Sequence, residues 1–409
     1  MVGPPPGERS VRVWIVGDNF GFPNGAGSTA RVHGFTQSLR DAGAAVRIFC
    51  ATPTELPGRV LNADARGTHD GVAFEYACGT TTLPGPWLER RWLRVRSARR
   101  LIGAARDARA GGAPPDVVIA TAQTISGLVL AWATSRAAGA RCVLDACELP
   151  SGFVREGPRR SLHRRLYASI VRRLDGILCV STRLERHWAT HARGVPQLRV
   201  PILVDVAATR AVPARDARSV LYAGNLAHAV EVMALVEAFA ELAKRVPDAR
   251  LEVLGDDPGT DAIERFRGVA SALGVGERVC FRGAVARGAA AEASAAAAVL
   301  ALPRPKTPWS EAGLSAKLAD YLATGRPVVV TGIGDIPLYL EDGVSALVVP
   351  PDDPARFAAA LRDALADPAR ADAIGRRGRE VALAAFDTRV HGPRLVAFFA
   401  SLRDRGERS

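Results

Sequence analysis

A polar loop that runs into a predicted helix holds side chains suited to binding a phosphate and a sugar. The loop covers residues 304–314, the helix begins at about Ser315, and Gly325 ends it before an apolar run. The backbone N–H groups at the start of this helix, capped by Ser315, would form an anion site together with Lys317. Asp320, one turn further on, can accept hydrogen bonds from sugar hydroxyls. The segment therefore predicts a site for a phosphate next to a sugar.

Lysine is rare in this chain, which draws attention to Lys317. Of the 54 basic residues, three are lysines (Lys244, Lys306 and Lys317) and the other 51 are arginines. In a composition biased so strongly to arginine, a retained lysine can indicate the need for a compact ammonium group. Two of the three lie in the loop and helix just described. Chance placement is the alternative interpretation.

A second candidate loop for phosphate or sugar precedes the first predicted helix. Gly25-Ala-Gly27-Ser-Thr-Ala30 matches the dinucleotide-binding pattern G-x-G-x-x-A, so a dehydrogenase has to be considered. However, the glycines lie eight residues past the first strand, and the second strand ends at 49–52 without the acid that would bind a ribose. A flexible glycine loop at a helix N-terminus remains, able to lie against a sugar or phosphate. A plain connecting loop is the alternative.

Side chains with metal-ligand chemistry show no metal-binding spacing. The pairs Asp256-Asp257 and Asp352-Asp353 lie in turn-like loops, and we expect them to be surface caps. The seven histidines are scattered, and only His33 and His228 lie near the candidate loops, where core or surface positions are the simpler interpretation. We therefore expect no metal ion and no resident cofactor.

The positive charge of the chain is confined to its first half. The net charge is +12, and residues 1–204 hold 28 basic against 15 acidic residues, or +13. Arginines concentrate in the segments 87–102 and 155–166. In the first segment, Leu88, Trp92, Val95 and Ile102 recur at helical spacing with arginines off that stripe.

This stripe is typical of a basic amphipathic helix that can lie on an anionic membrane with its tryptophans at the interface. The residues of this candidate membrane surface are Trp87, Arg90, Arg91, Trp92 and Arg94. A solvated arginine face over an ordinary core stripe is the alternative, and an arginine-rich genome composition would also explain the charge. A nucleic acid partner is not expected, since no zinc spacing, RNP motif or helix-turn-helix accompanies the arginines.

Short apolar runs alternate with helical patterns along the chain. The predicted strands of the first half are 11–17, 45–50, 116–121, 141–145 and 176–181. After a break near Val206, strands are predicted at 219–223, 251–254, 279–282, 298–302, 327–331 and 346–349, with helices at 229–245, 259–272, 315–324 and 354–366. The alternation predicts two doubly wound α/β domains that face one another.

Cysteine usage and the N-terminus indicate a cytoplasmic location. Cysteines stand at 50, 78, 142, 147, 179 and 280 without a C-x-x-C pair, and we expect small buried hydrophobes in a reducing compartment. The first ten residues lack the basic start and apolar core of a secretory signal. The uncharged run 117–135 has to be considered as a membrane span, but its polar middle favours a strand, a turn and a helix.

Several short motifs follow one another along the chain. They are Pro23-Asn-Gly-Ala-Gly27, Asp145-Ala-Cys-Glu-Leu-Pro150 and the segments 200–205, 221–225, 254–258, 281–283, 317–328 and 350–354. In this order they resemble the motifs of the retaining GT-B glycosyltransferases, in particular the glycosyltransferase family 4-like (group 1) enzymes. The first resembles the first glycine loop of this family, and the second an Asp-x-Arg-Asp-Leu-Trp-Pro variant. The resemblance covers nearly the whole chain.

The resemblance implies a GT-B fold, in which two facing Rossmann-like domains are separated by a cleft. Residues 1–203 would form the acceptor-side domain and residues 204–385 the nucleotide-sugar donor domain. Residues 386–409 would form a last helix that packs back on the first domain.

The resemblance also implies site residues. Those of the donor site are Gly25, Gly27, Gly224, Asn225, Glu311, Gly313, Leu314, Ser315, Lys317 and Asp320. The implied catalytic residues are Lys317 facing the diphosphate, Asp320 facing the sugar hydroxyls or the ribose, and Glu148 on the acceptor side. The chain departs from the family at two places: Asn225 and Val230 stand where the family often has Arg and Lys, and eight residues rather than seven separate Glu311 from Asp320.

The implied reaction transfers a sugar from a nucleotide-sugar co-substrate to a hydroxyl group, with retention of configuration and without a metal ion. We expect a lipid-linked or glycan acceptor, a role in cell-envelope polysaccharide or glycolipid synthesis, and peripheral attachment to an anionic membrane at the inner face of the cytoplasmic membrane. Two alternatives remain open. One is a non-catalytic GT-B subunit that binds a partner or glycolipid, and the other is a sugar-nucleotide epimerase of the same fold.

Overall fold

The computed structural model describes residues 10–58, 60–150, 158–209, 216–226, 229–255 and 261–407. The chain divides into two compact units. The N-terminal unit comprises residues 1–201 together with 388–409, and the C-terminal unit comprises residues 202–387. Both units are α/β structures with a mainly parallel sheet, which confirms the predicted fold class.

The N-terminal unit is built on one eight-stranded sheet. Its strands are β1 Arg12–Gly17, β2 Ala45–Cys50, β3 Arg66–His69, β4 Val72–Tyr76, β5 Val117–Thr121, β6 Arg141–Ala146, β7 Gly176–Cys179 and β8 Gln197–Arg199. Its helices are α1 Gly27–Asp41, α2 Trp87–Ala110, α3 Ile125–Ala138, α4 Pro158–Val171, α5 Thr182–His191 and α14 Thr388–Glu407. The strand order is β3-β4-β2-β1-β5-β6-β7-β8, and only β3 runs antiparallel to its neighbour.

The central strands of this sheet are buried because helices cover both of its faces. Every residue of β5 is buried, as expected for a parallel strand of continuously apolar composition. The uncharged run after Asp116 forms β5, a turn and α3, which confirms the strand, turn and helix interpretation. Among the helices that the structure describes, none combines the length and apolar composition needed to cross a bilayer.

The last helix of the chain, α14, packs on α1 of the N-terminal unit. The hydroxyl of Ser38 on α1 donates a hydrogen bond to the carbonyl of Thr388 over 2.8 Å. A Cβ at Gly392 would lie 2.2 Å from the Ser38 carbonyl oxygen, so the two helices meet there at backbone distance. Leu395, Phe399 and Leu402 of α14 are buried.

The C-terminal unit is built on a six-stranded, fully parallel sheet. Its strands are β9 Ser219–Ala223, β10 Arg250–Leu254, β11 Val279–Gly283, β12 Val299–Leu302, β13 Val328–Thr331 and β14 Leu347–Val349, in the order β11-β10-β9-β12-β13-β14. Its helices are α6 Ala229–Ala243, α7 Ala262–Ala272, α8 Arg287–Ala296, α9 Pro308–Ala312, α10 Ala316–Thr324, α11 Ile336–Tyr339, α12 Pro354–Ala366 and α13 Pro368–Ala385.

Candidate active site

Lys317 lies at the switch point of the C-terminal sheet. β9 and β12 are neighbours, and the chain leaves them towards opposite edges, so their carboxyl ends frame the crevice in which doubly wound sheets bind ligands. Lys317 belongs to the first turn of α10, and Gly224 directly follows β9. A Cβ at Gly224 would lie 2.5 Å from Cε of Lys317, so glycine leaves room for the lysine. The structure thus brings these two predicted donor-site residues together.

A carboxylate that the sequence analysis did not predict, Glu231 on α6, binds the amine of Lys317. Nζ of Lys317 donates to Oε2 of Glu231 over 3.1 Å and lies 4.9 Å from the centroid of the Tyr222 ring. The Tyr222 hydroxyl donates to the same oxygen over 2.8 Å, and Nε of Arg304 lies 3.8 Å from Oε1. Glu231 is only 8% exposed, so two cations, one carboxylate and one phenol form a largely buried network.

The protonation states in this network follow from burial and charge. Burial by itself would raise the pKa of Glu231, but the charges of Lys317 and Arg304 and the hydrogen bonds to the carboxylate outweigh burial and hold this pKa below its ordinary value. Burial and the neighbouring carboxylate raise the pKa of Tyr222 well above its usual range. Glu231 is therefore ionised at neutral pH, Tyr222 is neutral, and the network keeps a net positive charge.

Arg304 connects this network to the loop before α10. Its Nη1 donates to the carbonyl of Gly313 over 3.2 Å, and its backbone N–H donates to Oγ1 of Thr331 over 2.9 Å. Leu314, the next residue after Gly313, is buried. The guanidinium therefore fixes the loop that leads to Ser315 and Lys317.

Ser315 stands at the N-cap position of α10, but its hydroxyl makes no capping hydrogen bond, so the predicted side-chain cap is wrong. A capping hydroxyl would accept a hydrogen bond from the backbone N–H of Leu318. This N–H donates instead to the backbone carbonyl of Ser315 over 3.0 Å. In the first turn of α10, this N–H is therefore satisfied by the backbone carbonyl three residues earlier.

The other predicted donor residues of the C-terminal unit lie on α10, in the loop after β9 and on α9. Asp320 is exposed on α10 and, three residues after Lys317, shares its face of the helix. Asn225 is half-buried after Gly224, and Glu311 is half-buried on α9. Their roles at a donor remain predictions.

Val230, which stands where the glycosyltransferases that the chain resembles often have a lysine, is followed directly by Glu231. Val230 is 62% exposed, whereas Glu231 faces the interior. Glu231 precedes the buried residues Val232, Leu235 and Val236 on α6, and its spacing of four from Leu235 places it on that apolar face. An acid on an apolar helix face is the signal that could have found it.

The N-terminal unit also has a small pocket at a switch point, lined by both polar and apolar side chains. β1 and β5 are neighbours from which the chain again proceeds towards opposite edges. Asn19 follows β1, Gln123 follows β5 and Glu148 follows β6, and all three line one small pocket. The predicted acceptor-side residue Glu148 is exposed there.

The glycine loop of the N-terminal unit is held by side-chain amides and hydroxyls. The backbone N–H of Asn24 donates to Oδ1 of Asn62 over 2.8 Å, and Nδ2 of Asn62 donates back to the Asn24 carbonyl over 2.9 Å. A Cβ at Gly25 would lie 2.1 Å from Oγ1 of Thr29, whereas Gly27 has open space. Gly25 and Gly27 thus belong to the N-terminal unit, while the other predicted donor residues belong to the C-terminal unit.

The first turns of α2 are exposed on nearly every side. Trp87, Leu88, Trp92 and Val95 are between 51% and 67% exposed, and Arg90, Arg91 and Arg94 are exposed as well. In α2 only Ser97, Leu101 and Ala105 are buried. The interpretation of Leu88, Trp92 and Val95 as an ordinary core stripe is therefore wrong. We refer to these seven exposed residues as the α2 surface.

The remaining sequence predictions have mixed outcomes. Cys280 is exposed because it points outward on β11, so the expectation of buried cysteines is wrong there. Asp353 caps α12 by accepting a hydrogen bond from the N–H of Arg356, as expected of a cap. His33 packs in the N-terminal unit against the ring of Phe22. His228 and Asp256-Asp257 lie outside the described residues.

The described residues contain no group of three or more His, Cys, Asp or Glu side chains arranged to hold a metal ion. Among the described residues, Lys317 and Arg304 place two cationic groups at the C-terminal switch point. An anion such as a phosphate suits a site of this charge.

Models of two known protein families match the chain, one over each unit. Residues 26–202 match the family described as glycosyl transferase 4-like domain, and residues 217–367 match glycosyl transferases group 1. The chain belongs to the group 1 glycosyltransferase family. The resemblance noted in the sequence is thereby confirmed.

Curated relatives are similar to this chain over part of their length. A GDP-mannose-dependent alpha-(1-6)-phosphatidylinositol monomannoside mannosyltransferase from Mycolicibacterium smegmatis is 34% identical over 172 residues, covering 42% of this chain and 44% of that protein. A D-inositol 3-phosphate glycosyltransferase from Mycolicibacterium vanbaalenii is 28% identical over 247 residues, covering 54% of this chain and 52% of that protein. The match spans about half the length of these relatives.

Solved structures show the same fold over nearly the whole chain. Sucrose-phosphate synthase from Thermosynechococcus elongatus has a TM-score of 0.73 at 20% identity and covers 97% of this chain and 100% of that chain. The Anabaena protein HepE in complex with UDP-glucose has a TM-score of 0.71 at 15% identity and covers 95% of this chain and 99% of that chain. At these identities the likeness shows the fold alone.

Proposed function

We propose that this member of the group 1 family transfers a sugar from a nucleotide-sugar donor to a hydroxyl of a lipid-linked glycan or glycolipid acceptor, with retention of configuration and without a metal ion. The observation that carries this proposal is the cationic site at the β9–β12 switch point, where Lys317 lies against Gly224. UDP-glucose bound to HepE, a protein of the same fold, supports a nucleotide-sugar as the donor.

The charges of the site suit the chemistry of donor cleavage. When the glycosidic bond of the donor breaks, negative charge builds up on the departing nucleoside diphosphate, and fixed cations stabilise it. Lys317 and Arg304 supply two such cations in the C-terminal unit. Asp320, exposed on the same face of α10, would accept hydrogen bonds from the sugar or ribose hydroxyls, and Glu148 in the N-terminal unit would act on the acceptor side.

A panel assay tests the reaction. The full chain is incubated with UDP-, GDP- and dTDP-sugars and either a bacterial lipid extract or soluble glycans, and nucleoside diphosphate release is measured. We expect release with one base only, dependent on the lipid extract and unchanged by EDTA. Proton NMR of the product should show the anomeric configuration of the donor. An inverted product would contradict retention, and loss of activity in EDTA would contradict metal independence.

One observation favours a non-catalytic subunit as the second candidate. Asn225 and the exposed Val230 stand where the family often has cations, and the adjacent Glu231 adds a negative charge to the site. A subunit of this kind would bind no nucleoside diphosphate and release none from any donor in the panel.

We further propose that the α2 surface binds the anionic inner face of the cytoplasmic membrane, where a lipid-linked acceptor would be held. Exposed tryptophans beside exposed arginines suit the boundary between lipid headgroups and acyl chains. Each basic residue near an anionic surface contributes about 1 kcal/mol, and burial of the apolar side chains adds to it. A relative named as a phosphatidylinositol monomannoside mannosyltransferase supports a lipid acceptor.

Vesicle co-sedimentation tests this surface. We expect the protein to sediment with vesicles containing anionic lipid at low salt, less at high salt, and not with neutral vesicles. A variant with Arg90→Gln, Arg91→Gln, Arg94→Gln and Trp92→Ser should stay in the supernatant. The matched control changes three exposed arginines and one exposed apolar residue of the C-terminal unit: Arg356→Gln, Arg362→Gln, Arg377→Gln and Leu338→Ser. Equal binding by the two variants would contradict a role for the α2 surface.

A further inference from the structure

Glu231 is a largely buried acid beside the cations that the proposed function requires. It belongs to the first turn of α6, and its carboxylate accepts hydrogen bonds from Tyr222 and Lys317 while Arg304 lies beside its second oxygen. A carboxylate is costly to bury unless charges and hydrogen bonds compensate it. Here all of its compensating partners converge on the switch point, so Glu231 belongs to the site rather than to the packing of α6.

The side chain of Lys317 is confined on three sides. The backbone of Gly224 lies against Cε, the ring of Tyr222 lies beside the ammonium, and Glu231 binds that ammonium at 3.1 Å. Lysine has a flexible four-carbon stem, and fixing it costs rotamer entropy. Of the three contacts, only the one to Glu231 is a charge-assisted hydrogen bond that fixes the position of the charge itself.

We propose that Glu231 is a positioning residue that holds the Lys317 ammonium where the diphosphate of the donor binds. This inference rests on the proposed function. For removal of the Glu231 carboxylate, this inference predicts the opposite effect to the one that charge alone would have. A carboxylate next to an anion site repels the anion, so its removal would strengthen donor binding if only charge mattered. If Glu231 positions Lys317, removal of the carboxylate lowers turnover because the ammonium loses its fixed position.

The test compares steady-state kinetics of wild type, Glu231→Gln and the control Glu237→Gln, which changes an exposed acid on the same helix. We expect Glu231→Gln to lower kcat by about tenfold to a hundredfold, the range for misplaced reacting groups, with a smaller change in KM. The control should retain wild-type kinetics. Unchanged or increased kcat/KM in folded Glu231→Gln would overturn the inference.

A double-mutant cycle separates positioning from an independent role. If Glu231 acts through Lys317, then Glu231→Gln should cause little further loss in the Lys317→Met background. If the decreases in kcat caused by the two single substitutions multiply in the double variant, the inference is overturned. If Glu231→Gln does not fold, Tyr222→Phe replaces it, because this variant keeps the ring and the charges and removes only one hydrogen bond to Glu231. We expect a several-fold decrease in kcat of the folded variant, and unchanged kcat would overturn the inference.

Different results would overturn the proposed function and the inference about Glu231. If the wild-type protein transfers no sugar and releases no nucleoside diphosphate from any donor, the proposed function is overturned and this inference with it. If wild type is active and Lys317→Met is impaired while Glu231→Gln has wild-type kinetics, only the inference about Glu231 is overturned.

Discussion

Replacing Lys317 by alanine should lower the turnover of sugar transfer by about a hundredfold or more. Truncation of one partner of a buried charged contact typically costs about 2–5 kcal/mol, and 1.4 kcal/mol corresponds to a factor of ten in rate. The ammonium lies at the switch point and only 18% of its side chain is exposed, so water cannot replace it fully. Turnover is measured as nucleoside diphosphate release at saturating donor.

Another lysine of the chain, Lys244, provides a control for Lys317→Ala. Lys244 lies just after the last turn of α6, pairs with Glu241 and is 66% exposed, so Lys244→Ala should leave turnover unchanged. Lys317→Arg should restore little, because the wider guanidinium does not fit against Gly224, where a Cβ would already lie 2.5 Å from Cε. Near-normal turnover of folded Lys317→Ala would contradict the assignment of this lysine to the diphosphate.

Replacing Arg31 by methionine should destabilise the N-terminal unit by about 3–5 kcal/mol, the range for removing one partner of a buried ion pair. Nε of Arg31 donates to both carboxylate oxygens of Asp145, over 2.8 and 3.0 Å, and the side chains are 6% and 3% exposed. The same guanidinium donates to the carbonyls of Val200 and Pro201. Its loss leaves the Asp145 carboxylate buried without its cation.

Urea unfolding followed by tryptophan fluorescence measures the stability of the N-terminal unit. Five of the six tryptophans lie in the N-terminal unit, and only Trp309 lies in the other. The control Arg199→Met breaks an ion pair to Glu185 whose side chains are 41% and 42% exposed, and should change the free energy of unfolding by about 1 kcal/mol or less. Equal effects of the two substitutions would mean that the buried pair is not a special source of stability.

The fold was predictable because several of its central strands are almost entirely apolar. Every residue of β5 and β12 is buried, as are the five residues that follow Arg12 in β1, so these strands appear in the sequence as apolar runs. The hairpin of β3 and β4 was not predicted, since β3 is a short, largely exposed edge strand of polar composition. The helix α13 was also missed: its buried face consists largely of small residues such as Gly375 and Gly378, which produce no apolar periodicity.

The candidate site could be predicted from local sequence only in part, because some of its residues meet through tertiary contacts. The sequence singled out Lys317, whose role at a donor stays a prediction, because this residue follows a loop at the start of a helix and because lysine is rare in this chain. Glu231 and Tyr222 were missed because they lie 86 and 95 positions before Lys317 in the sequence, and only the sheet topology brings them together. For the same reason, the sequence could not show that Arg31 pairs with Asp145.

Isothermal titration calorimetry of the full chain with UDP, GDP and dTDP tests the proposed donor site most directly. We expect wild type to bind one of the three with a nanomolar-to-micromolar dissociation constant. Lys317→Met should weaken this binding by about tenfold or more, as expected for loss of a charged contact to a phosphate. The control Lys244→Ala should bind like wild type. Absence of binding to all three nucleotides, or equal binding by wild type and Lys317→Met, would contradict a donor site at Lys317.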